Sequence, residues 1–92
     1  MPTYLVCYDL NRPGADYSTL FDRIKQLSPG LWWHYLDSTW IIKSGLAPIQ
    51  VRDFLRTAMD PNDELLVVDI TGKAAAWVGF SSDGSEWLKN QL

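Results

Sequence analysis

The chain has 92 residues, a formal charge of −3 and a pI near 4.8. That length fits one domain. The acidity argues against tight non-specific DNA binding, which relies on at least one basic face. The lone cysteine, Cys7, excludes an intrachain disulfide and a zinc set.

Hydrophobic residues make up 47% of the chain and include five tryptophans. A domain this small buries only about 60% of its unfolded surface. So much apolar surface predicts that a second subunit covers part of it. The start, MPTYLVCYDL, has no basic region and too short an apolar run for an export signal. No segment approaches the roughly 20 apolar residues of a membrane span. A cytoplasmic protein with no membrane partner is expected.

Tyr4 to Leu10 is apolar on both alternating sets, with Tyr4, Val6, Tyr8 and Leu10 on one face and Leu5, Cys7 and Asp9 on the other. That pattern predicts a central strand covered on both sides. Asn11 to Gly14 is a turn. Asp16 to Ser28 carries Tyr17, Leu20, Phe21, Ile24 and Leu27 at helical spacing, with Asp16 as a cap and Pro29-Gly30 as the stop. Two aromatic-rich strands follow, Leu31–Leu36 and Thr39–Ser44, with Asp37 and Ser38 between them.

Ala47 to Met59 predicts a second helix, with Pro48 in its first turn and Val51, Phe54, Leu55, Ala58 and Met59 on the buried stripe. Glu64 to Ile70 predicts a fourth strand. In the C-terminal extension, residues 74–92, Ala74 to Phe80 reads as a fifth, edge strand. Ser81 to Gly84 reads as a polar turn and Ser85 to Leu92 as a short helix. The order β-α-β-β-α-β plus tail is the α+β, ferredoxin-like pattern in one domain over 1–92. Right-handed crossovers put both main helices on one sheet face. The other face is then open, and a symmetric homodimer would form by burying it or by exchange of the tail, residues 74–92.

Asp9 admits two roles. A carboxylate at a strand end can hold Mg²⁺, particularly if two copies meet across a dimer axis. It can equally cap its own loop through the amides of Asn11 or Arg12. His34 lies among aromatics, which favours a packed ring over a general acid or base; Asp37 is its one candidate partner. Arg12, Lys43, Arg52 and Arg56 are the candidate phosphate contacts, set against a plain solvated surface. Trp32, Trp33 and Trp40 read as core or interface before they read as base-stacking platforms.

YLVCYDLN, DYSTLFDRIK, HYLDSTWIIKS and NDELLVVDI together resemble the SinR-like family, small bacterial proteins similar to CRISPR-associated protein two. A more distant similarity is to virulence-associated protein D, a toxin-like ribonuclease. The resemblance implies a ferredoxin-like homodimer. It also implies a Mg²⁺-dependent nuclease acting on RNA or DNA, with Asp9 of each subunit at the metal. Ser38 aligns with the family serine after the second strand, and Trp40 with the aromatic that follows. Other relatives act as non-catalytic dimeric scaffolds on DNA, which gives the alternative role: a nucleic-acid-associated module with a structural Asp9.

Overall fold

The computed structural model describes residues 1–92. Strand β1 is Thr3–Asp9, helix α1 Ser18–Leu27, β2 Trp32–Leu36, β3 Thr39–Lys43, α2 Pro48–Arg56, β4 Glu64–Asp69 and α3 Ser82–Gln91. The protein is α+β. Its four strands form one antiparallel sheet in the order β2-β3-β1-β4. β1 lies inside it, pairing Val6 with Trp40 on one side and with Val67 on the other. No helix is long and apolar enough to cross a membrane.

The two alternating sets of β1 serve two cores. Tyr4, Val6 and Tyr8 point to the face covered by α1 and α2, where Leu20, Ile24, Val51 and Leu55 are fully buried. Full burial of such a side chain contributes about 1.5–3 kcal/mol. Trp40 and Ile42 of β3 complete this core. Phe54 departs from the expected buried stripe. It is 38% exposed, with the Arg23 guanidinium 5.5 Å from its ring centre. Arg23 also hydrogen-bonds the Phe54 carbonyl and the Thr57 hydroxyl, so α1 and α2 are joined at the surface as well as in the core.

Local chemistry sets the element ends. Asp16 accepts the Ser18 N–H at 2.9 Å, but α1 begins at Ser18, two residues later than expected. At its other end the buried Ser28 hydroxyl donates to the Leu31 carbonyl and accepts the Lys43 N–H. That single side chain closes the α1–β2 corner onto the end of β3. Gly30 turns there with φ +69°, a conformation that favours a residue without Cβ. α2 starts at Pro48 and stops at Arg56, short of the expected Met59.

The tail departs most from expectation. Ala74 to Phe80 forms no strand, so there is no fifth, edge strand. It is an irregular strap that lays Trp77 and Phe80 onto the sheet face opposite α1 and α2. Phe80 meets Trp33 edge-on with centroids 4.9 Å apart. Burying two large aromatics outweighs extending a ladder at the sheet edge, and Gly79, at φ +93°, turns the strap between them. The polar stretch expected as a turn is instead the first turn of α3, with Ser81 accepting the Gly84 N–H. Gly84 packs against Tyr35, where a Cβ would stand 3.2 Å from the ring, and its carbonyl accepts the Trp33 indole N–H. The second sheet face is therefore not open over β2 and β3, because the chain's own tail covers it. It stays open toward β4, where Leu66 is 58% and Val68 38% exposed.

Candidate functional site

Asp9 is the last residue of β1, and its register partner is Glu64, the first residue of β4. Directly opposed residues on an antiparallel pair share a face, so two carboxylates stand side by side at this end of the sheet. Like charges so placed oppose pairing, and a cation between them would relieve that. With Ser38, Cys7 and Leu66 they line a shallow depression of about 380 Å³.

The Asp9 carboxylate makes no hydrogen bond within the chain. Asn11 donates its backbone N–H to Asp63 at 2.7 Å, and its side-chain amide to Asn62 and Glu64. Of the two loop amides that could serve a capping Asp9, that of Asn11 is thus taken by a residue of another loop. Asp63 is a hub: it also accepts from Tyr17 and from the Asp60 N–H. Burial pushes its carboxyl upward, but the Asn11 and Asp60 amides, the Tyr17 hydroxyl and Arg12 together hold it below the usual carboxylate range. Asp63 ties the β1–α1 loop to the α2–β4 loop, and so fixes the segment that follows Asp9.

The other anticipated residues are spread out. Ser38 lies in the depression with Asp9. His34 is on the α1 side of the sheet, its ring stacked 3.8 Å from that of Trp40 and tilted against Phe21. Asp37 contributes its backbone carbonyl, which bonds the Tyr8 hydroxyl and the His34 Nε2 at 3.3 Å each. Its carboxylate is not the partner of His34. Burial raises the Tyr8 hydroxyl pKa above its ordinary value, and the bond it accepts from Trp40 works the other way.

The basic residues do not gather at Asp9. Arg12 lies 3.9 Å from Asp60, while Arg52 and Arg56 both reach Asp53. Lys43 bonds the Thr3 hydroxyl at the far end of β1 from Asp9, about 20 Å away along the strand.

No family model matches the chain, and no curated protein matches it either.

The donor set at Asp9 fits a hard divalent cation only in part. Mg²⁺ takes near-octahedral oxygen ligation. One protomer offers Asp9, with Glu64 beside it already accepting from Asn11, and no group of three acidic, histidine or cysteine side chains converges anywhere in the chain. Glu64 carries no signal of its own in the sequence. It becomes a neighbour of Asp9 only through the β1–β4 register, although a strand-initial carboxylate opposite a strand-final one is the signal that an antiparallel pairing of these two strands would carry.

Proposed function

We propose that the chain is a ferredoxin-like homodimer of the SinR-like kind, similar to CRISPR-associated protein two. In this reading Asp9 of each subunit lies at a shared Mg²⁺-dependent site that cleaves RNA or DNA. The carrying observation is the exposed Asp9 carboxylate, without a hydrogen-bond partner and opposed to Glu64 beside Ser38. The strand order, with α1 and α2 on one face, supports the ferredoxin-like arrangement. The exposed Leu66 and Val68, on the same face of β4 as Glu64, support a second copy on that face, since an isolated protomer leaves the apolar stripe in water.

Within this reading Asp9 is the metal ligand, and a second Asp9 from the partner supplies what one protomer lacks. A bound divalent cation supplies charge stabilisation on the phosphate and a more acidic water. Glu64 adds negative charge that favours the cation's approach, and the Ser38 hydroxyl offers a hydrogen bond to a phosphate oxygen. Asp63 keeps the loop after Asp9 in place. His34 is removed from the depression by its stacking on Trp40, and carries no role in the step.

The dispersal of Arg12, Lys43, Arg52 and Arg56, three of them beside carboxylates, favours the second reading: a non-catalytic dimeric scaffold or nucleic-acid-associated module in which Asp9 is structural. Incubating the chain with short single-stranded RNA and with duplex DNA, with and without Mg²⁺, separates the two. The nuclease reading expects metal-dependent cleavage that Asp9→Asn abolishes while light scattering still shows a dimer. A dimer inert toward both substrates leaves the scaffold. A monomer at micromolar concentration removes both.

A further inference from the structure

Between the strap and the sheet lies a cavity of about 450 Å³, separate from the Asp9 depression. Leu5, Trp33 and Ile41 form its floor, and Trp77, Phe80 and Leu88 its wall. Its volume is in the range of small-molecule sites. It has room for about fifteen waters at roughly 30 Å³ each, and a water needs two to four polar partners to be held.

Only two polar side chains line the cavity, Thr39 and Lys73. The Thr39 hydroxyl already donates to Cys7 Sγ. The Lys73 ammonium forms no ion pair; its charge helps to hold the Asp69 carboxyl down, and Asp69 is itself bonded by both the hydroxyl and the amide of Thr71. The cavity thus joins an apolar body to one exposed lysine that forms no ion pair.

We infer that this cavity binds an amphiphilic carboxylate of medium chain length, its alkyl body between the strap and the sheet and its head group at Lys73. The strap suits entry. Apart from Trp77 and Phe80 its side chains are exposed, with Val78 at 91%, and it adds no strand to the sheet. It can therefore lift without breaking a ladder.

The test is a titration of the full chain with decanoate, followed through the indole N–H resonances of its tryptophans. Saturable one-to-one binding that moves Trp33 and Trp77 and leaves Trp32 and Trp40 in place is expected. Lys73→Gln weakens decanoate about fivefold, the size of an exposed ion pair, and leaves decanol unchanged. Ala75→Trp, which fills the cavity from an exposed strap position, abolishes binding of both. No saturable shift in the wild type overturns the inference. So do equal affinities of wild type and Lys73→Gln for decanoate. Shifts of Trp33 and Trp77 that follow protein dilution and ignore decanoate also overturn it, because the cavity is then covered by a second copy.

Discussion

Trp40 joins the two halves of the main core. It is 1% exposed, its ring stacks on His34 and Phe21, and its indole N–H donates to the Tyr8 hydroxyl at 2.9 Å. Trp40→Phe removes about 50 Å² of buried ring, worth about 1 kcal/mol. It also removes the hydrogen bond, worth about 1 kcal/mol, and leaves Tyr8 with only its longer contact to the Asp37 carbonyl. The unfilled space adds something under 1 kcal/mol. The expected loss is about 2–3 kcal/mol, a large share of the roughly 5–14 kcal/mol typical of a domain this size. Urea unfolding would show it as a midpoint lowered by about 1–1.5 M, for a slope near 2 kcal/mol/M. Trp32→Phe is the control: Trp32 is 36% exposed with Lys25 over its ring, and its loss should stay below about 1 kcal/mol. A double-mutant cycle with Tyr8→Phe should return a coupling of about 1 kcal/mol, the part that belongs to the hydrogen bond. A Trp40→Phe loss below about 1 kcal/mol, or no coupling, would refute this account of the core.

Leu88→Ala should cost about 2–3 kcal/mol, at the low end for a buried leucine, because the space it leaves opens into an existing cavity. Hydrogen exchange should show faster opening of α3 and an unchanged β1; equal acceleration of both would mean that the tail and sheet unfold as one unit. Asp63 and Asp69 are held below the ordinary carboxylate range, Asp69 mainly by the Thr71 hydroxyl and amide. A depressed folded pKa gives stability that is present above the unfolded value near 4 and is lost as pH falls through the folded value. Unfolding followed from pH 6 down to pH 2 should therefore show an acid limb that flattens in Asp63→Asn and in Asp69→Asn. Parallel limbs in wild type and both variants would sink that assignment.

Much of the fold is legible in β1 and in two helical stripes. The alternation of Tyr4, Val6 and Tyr8 against Leu5 and Cys7 announces a strand with two covered faces; the structure gives the first set a full core and the second a smaller one that reaches Leu5 and leaves Cys7 at the open depression. Leu20 and Ile24, and Val51 and Leu55, fall where helical spacing puts them. The tail is less legible, because AAAWVGF is a short apolar run without a clear period. Its conformation depends on Trp77 and Phe80 finding Trp33 and Ile41, partners that only the folded sheet brings together. Covering of the second face by the tail follows from the same long-range contacts, so a fully open face was the natural expectation from the order of elements alone.

The neighbourhood of Asp9 has the same limit. Its place at the end of a strand is local information. That Asn11 turns its amide to Asp63, 52 residues on, is not, and it takes one of the two amides that a local cap would use. Glu64 joins Asp9 through register, which the hydrophobic pattern fixes only after the pairing partner is known.

The role of Asp9 is decided by calorimetric titration of the full chain with Mn²⁺ and with Mg²⁺, on wild type and on Asp9→Asn, at a concentration where light scattering gives the oligomeric state. The proposed shared site predicts saturable binding of one ion per two chains in the wild type, and none in Asp9→Asn, which remains folded and dimeric. Binding of equal strength in the two proteins, or no binding in the wild type, would contradict it.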